Sequence, residues 1–214
     1  MKSESVTFSS DGYTLHGILS RTDSMERTGV VILHPHPLYG GNMDNHVVTT
    51  LEHVFLEEKL ATLRFNFRGT NSSRKGYSSI DGAVTDALNA IKYLKSNFRL
   101  ENIGIVGYSF GASTALRVAL LEQPLFVVSL SASKDLVSEG GFDLQKLTDI
   151  HCPILMFHGK SDQMIPFTDL EFFGLILGLD DKQTIPIEGE GHFYQRSLPM
   201  VETSIKVFLS ELFL

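Results

Sequence analysis

The chain has 214 residues, 43% of them hydrophobic and 20% charged, and 18 Lys and Arg against 25 Asp and Glu give a formal net charge of −7. That length suits one well-buried core, so a single domain over residues 1–214 is expected. The acidic balance argues against nucleic acid as a partner. No apolar run of about eighteen residues offers a membrane span. The polar start Met1-Lys2-Ser3-Glu4-Ser5 lacks the apolar stretch of a secretory signal, so a cytoplasmic location is expected.

The elements alternate along the chain. Val6 to Phe8 and Tyr13 to Ser20 read as a hairpin around Ser10-Asp11-Gly12. Gly29 to Leu33 is a short β-branched apolar run, as expected for a strand buried on both faces. His46 to Lys59 carries Val47, Leu51, Val54 and Phe55 at helical spacing, and Ala61 to Phe67 reads as strand. Asp81 to Phe98 reads as a helix capped by Asp81. Ile103 to Val106 is strand, Phe110 to Leu121 a helix of small residues, and Leu125 to Leu130 and Ile154 to His158 are strands. Thr168 to Leu177 is helix, Gln183 to Ile187 strand, and Leu198 to Leu212 a closing helix. A hairpin followed by repeated strand–helix units predicts an α/β fold, a mostly parallel sheet with helices on both faces.

In such a sheet ligands bind beyond the carboxyl ends of the strands. After Val106 comes Gly107-Tyr108-Ser109-Phe110-Gly111, a G-x-S-x-G turn between strand and helix. Its glycines let strand and helix approach, and its serine hydroxyl is held above the sheet. Serine needs a base, and the base needs an orienting acid. Asp162 lies in the loop after the strand ending at His158, and His192 in the Gly-rich loop after the last strand, in the order Ser, Asp, His. Ser109, Asp162 and His192 are therefore the candidate catalytic residues.

An oxyanion hole would take the Phe110 amide and a second donor from His34-Pro35-His36-Pro37-Leu38-Tyr39-Gly40-Gly41. Pro37 has no N–H; the His36 amide is favoured, with Tyr39 next. Leu38, Tyr108, Met164 and Phe193 are the candidate pocket residues. His34, His36, Asp44 and His46 are read as shaping this loop rather than holding a metal, and no cofactor is expected. Arg64 and Arg68 are expected to pair with acids such as Asp81 or Asp86. Cys152, the one cysteine, is expected to be a buried small hydrophobe.

These residues resemble the α/β-hydrolase superfamily across essentially the whole chain. The run His34 to Gly41 with Arg64-Phe65-Asn66-Phe67-Arg68-Gly69 is similar to compact bacterial hydrolases akin to dienelactone hydrolase and to prolyl-oligopeptidase-like catalytic domains. The resemblance implies an eight-stranded sheet with only the second strand antiparallel, and a triad at Ser109, Asp162 and His192. Serine stands where dienelactone hydrolase has cysteine. Only Ala132 to His151 separate the sixth and seventh strands, room for one short helix near Phe142 to Leu147 and no large lid.

The expected activity is hydrolysis of small acyl esters or thioesters through an acyl-enzyme on Ser109, with a small-molecule ester as partner. The alternatives are a serine peptidase of acylaminoacyl type and a non-catalytic binding protein that retains the fold. Val207, Phe208, Leu212, Phe213 and Leu214 are expected either to pack on the core or to form a homodimer patch.

Overall fold

The computed structural model describes residues 1–22, 27–70 and 76–213; Leu214 lies outside them. Its eight strands are β1 (Lys2–Ser10), β2 (Tyr13–Arg21), β3 (Thr28–Leu33), β4 (Ala61–Phe65), β5 (Asn102–Tyr108), β6 (Val127–Leu130), β7 (Ile154–Gly159) and β8 (Thr184–Ile187). They form one sheet in the order β1-β2-β4-β3-β5-β6-β7-β8. β2 runs antiparallel to both its neighbours, β1 and β4, and the remaining pairs are parallel. This is the α/β-hydrolase arrangement that the sequence implied.

The sheet is buried on both faces, which is why its inner strands are nearly continuous apolar runs. Side chains alternate across it. Val31, Leu33, Ile103, Ile105, Ile154 and Met156 face one core, shared with α2 (Ser79–Phe98), α3 (Phe110–Glu122) and α5 (Thr168–Leu177). Val30, Ile32, Val106, Tyr108, Leu155 and Phe157 face the other, shared with α1 (His46–Glu57) and α6 (Leu198–Leu212). At the end of the chain the apolar residues divide: Phe208 and Leu212 of α6 pack on this core, whereas Val207 and, just past the helix, Phe213 are exposed.

Several boundaries differ from expectation, each for a local reason. α1 ends at Glu57 because Lys59 takes a positive φ of 63°. β4 ends at Phe65: the Asn66 N–H still reaches the His16 carbonyl of β2, but the Phe67 N–H leaves the ladder for the His34 ring. α2 starts at Ser79, two residues before Asp81. Ser78 is its N-cap, and Asp81 sits in the first turn paired with Arg117. Between β6 and β7 the helix is α4 (Lys134–Ser138), ahead of the expected position, where a 3₁₀ segment, Leu144–Asp149, stands instead.

Arg68 pairs with fully buried Asp86, which also accepts from the Ser10 hydroxyl and the Arg68 amide. Arg64 pairs with Glu52 and Asp44 rather than with either acid expected for it. Cys152 is half-buried against the core, and burial pushes its thiol up to about 11, leaving it mostly protonated and unreactive at neutral pH. Among the described residues no helix is long and apolar enough to cross a membrane.

Candidate active site

The turn from β5 into α3 is tight because two glycines make it so. A Cβ on Gly107 would lie 2.2 Å from the Gly111 carbonyl oxygen, and one on Gly111 would lie 2.1 Å from the Leu33 carbonyl oxygen. Between them Ser109 is held at φ 57° and ψ −118°, a strained conformation for a residue with a Cβ. Its amide donates to the Leu130 carbonyl at 2.8 Å, which fixes the turn to β6.

The His192 ring reaches Ser109 from the loop after β8. His192 Nε2 lies 3.0 Å from Ser109 Oγ, and His192 Nδ1 lies 2.7 Å from Asp162 Oδ2. Asp162 Oδ1 accepts the Met164 and Ile165 amides at 2.8 and 2.9 Å. Burial alone would raise the Asp162 pKa. Hydrogen bonds from His158, His192 and the Ile165 amide outweigh it and hold this carboxyl well below the usual range. The three residues named from their order in the chain thus form one continuous hydrogen-bonded series.

Other supports are visible only in three dimensions. His158, fully buried, places Nε2 3.1 Å from the Ile165 carbonyl oxygen and 3.5 Å from Asp162 Oδ2, the same carboxylate oxygen that His192 approaches. Glu190 accepts the amides of Gly191, Gln195 and Arg196 and so folds the loop that carries His192. Burial would raise the Glu190 pKa, but the Arg196 and Gly191 amides, with Ser197, hold it below the usual value. Tyr108 donates its hydroxyl to the His192 carbonyl at 2.8 Å, and His46 Nε2 donates to the Phe193 carbonyl at 2.9 Å. No spacing in the sequence distinguishes Glu190, His158 or His46 from ordinary polar residues.

The loop after β3 narrows the choice of a second oxyanion donor. Leu38 N–H goes to His36 Nδ1 and Tyr39 N–H to the His36 carbonyl, within the 3₁₀ turn Pro37–Tyr39. Among the described residues the amides of His36 and Phe110 make no hydrogen bond. The Tyr39 ring lies tilted at 51° to that of His36, their centroids 4.7 Å apart, and Tyr39 is 83% exposed.

His34 anchors this loop. Its Nδ1–H donates to the Pro35 carbonyl at 2.6 Å, while Nε2 accepts from the Phe67 amide and lies 3.2 Å from the Thr70 hydroxyl. A ring nitrogen that accepts an amide proton cannot itself be protonated, which leaves His34 neutral in the fold. Burial, opposed by the Pro35 carbonyl and assisted by His36, brings its pKa down from 6.5 to about 4. The unfolded chain therefore binds the extra proton more readily. The stability gained from neutral His34 is complete above pH 6.5 and is lost as the pH falls toward 4. Urea unfolding should show a loss of up to about 3 kcal/mol across that window. In an NMR titration the His34 imidazole should stay neutral until about pH 4.

Above Ser109 lies a cavity of about 370 Å³, open to solvent. Of the candidate residues, Tyr108, Met164 and Phe193 line it, with His36 and Tyr39. Leu38 does not: it sits within the 3₁₀ turn, its amide tied to the His36 ring. Ser133 and Leu136, from the segment after β6, form a wall the sequence did not reveal.

Residues 23–175 match the Dienelactone hydrolase family. An uncharacterized protein of Rickettsia prowazekii is 27% identical over 202 residues, covering 91% of this chain and 84% of its own length. An α/β serine hydrolase homologue from Coxiella burnetii superposes with a TM-score of 0.81 at 28% identity, over 95% of this chain and 96% of that one. A lidless α/β serine hydrolase from Xanthomonas campestris gives a TM-score of 0.81 at 21% identity, over 98% and 94% of the two chains.

Proposed function

The chain belongs to the dienelactone hydrolase family, a hydrolase family, and we propose that it is a serine carboxylesterase acting on small acyl esters or thioesters. The observation that carries this reading is the series Ser109 Oγ, His192, Asp162 at 3.0 and 2.7 Å, set on a strained serine turn beneath an open cavity.

In this reading His192 Nε2 takes the Ser109 proton as Oγ attacks the ester carbonyl. The Phe110 and His36 amides hold the oxygen that becomes negative. His192 then gives its proton to the leaving alcohol as the acyl–oxygen bond breaks, leaving an acyl group on Ser109. Water, deprotonated by His192, attacks the acyl-enzyme, and the acid leaves with Ser109 restored. Asp162 stays ionised throughout and holds the proton on Nδ1. We place the activity in one cytoplasmic domain, a location favoured by the single cysteine, which allows no internal disulfide.

A fluorophosphonate should label Ser109 and no other residue. p-Nitrophenyl esters from acetate to decanoate should be hydrolysed fastest at the short end, since a cavity of about 370 Å³ is at the small end for a ligand site. A protein that neither labels nor turns over any ester of the series is not an esterase.

A further inference from the structure

Resting on the esterase reading, we propose that the preferred substrate is an uncharged ester whose alcohol portion carries an aromatic ring, and that Phe193 is the residue that selects it. The direction of the alcohol follows from the chemistry. The leaving oxygen must receive its proton from His192 Nε2, so the alcohol has to lie against the His192 ring. Phe193, the next residue, lines the same cavity, its ring 5.7 Å from that of His192 and at 81° to it. A ring bound over His192 therefore meets Phe193.

Phe193 is an apolar side chain left 55% exposed, yet it is held in place. The carbonyl before it is bound by the Tyr108 hydroxyl and its own carbonyl by His46. An apolar ring fixed at the mouth of a site, with more than half of its surface open to solvent, is preorganised for an apolar partner. Met164, 58% exposed, and Tyr39, 83% exposed, line the same cavity, so apolar surface gathers at this one mouth. Aromatic and thioether groups both favour a flat aromatic ligand.

The charge requirement has a separate basis. Among the described residues that line the cavity none is Asp, Glu, Lys or Arg. Two carboxylates act on the described residues of the site: Asp162, bonded to His192, and Glu139, whose charge acts on His36. A substrate carboxylate would lose water there, find no cation among these residues and be repelled.

The test compares kcat/KM for benzyl acetate, butyl acetate, methyl phenylacetate and 4-(acetoxymethyl)benzoate, in the wild type, Phe193→Ala and Phe193→Leu. Ratios between substrates are unaffected by any general damage to the site. The expected wild-type result is benzyl over butyl acetate by about tenfold, benzyl acetate over methyl phenylacetate, and the carboxylate-bearing ester at least about tenfold below benzyl acetate. The benzyl-to-butyl ratio should fall toward one in both Phe193 variants. A wild-type ratio near one, an unchanged ratio in the variants, a preference for methyl phenylacetate, or equal use of the charged ester overturns the proposal. If Ser109 still reacts with a fluorophosphonate in such a case, only this specificity fails. If it does not react, the esterase reading fails and takes the specificity with it.

Discussion

Ser109→Ala is expected to lower kcat for p-nitrophenyl acetate by about 10⁶-fold, and Ser109→Gly to do the same while making the protein harder to unfold. The first effect follows from removing the hydroxyl that His192 Nε2 meets at 3.0 Å. The second follows from the backbone. Ser109 sits at φ 57° and ψ −118°, a conformation that costs of order 1–3 kcal/mol for a residue with a Cβ. Glycine removes that strain but adds about 0.5–1 kcal/mol of unfolded-chain entropy. The strain is the larger, so Ser109→Gly should exceed Ser109→Ala in unfolding free energy by about 1 kcal/mol. Urea melts of the two variants measure the difference, and equal midpoints would show that the turn is not strained. The fold thus accepts local strain to present one hydroxyl above the sheet.

Asp162→Asn is expected to lower kcat by about 10⁴-fold while leaving the fold intact. Asp162 Oδ1 accepts the Met164 and Ile165 amides, and an asparagine can keep both bonds by presenting its oxygen to them. Its NH₂ then occupies the Oδ2 position, facing His192 Nδ1. Two donors cannot share that contact, so the imidazole turns its N–H to Nε2 and loses the lone pair that accepts from Ser109. The wild-type carboxylate also bears on stability. Its depressed pKa means that its contribution is complete above the ordinary carboxylate value and is lost as the pH falls through the folded one. The readouts are kcat against pH and a thermal melt; activity within tenfold of wild type would remove Asp162 from the mechanism.

Much of this architecture is written locally. β5 reads as a strand and α3 as a helix from their own residues, and the glycines at 107 and 111 announce the tight turn between them. Because chemistry in a parallel sheet gathers at the carboxyl ends of strands, the chain order Ser109, Asp162, His192 was enough to name three residues that the fold brings within hydrogen-bonding reach. Periodicity and strand-end position are properties of short segments, and a sequence carries them in full.

The remainder depended on which distant segments meet. Tyr108 holds a carbonyl 84 positions away, and His46 holds one 147 positions away. Glu190 looks like any loop carboxylate until three amides turn toward it. Leu38, placed beside the site by sequence, was kept out of the cavity by a 3₁₀ turn, whereas Ser133 and Leu136 were brought in from beyond β6. Hydrogen bonds and cavity walls join residues by position in space, and no spacing along the chain encodes that, so the identity of the chemistry was local while the means of holding it in place was tertiary.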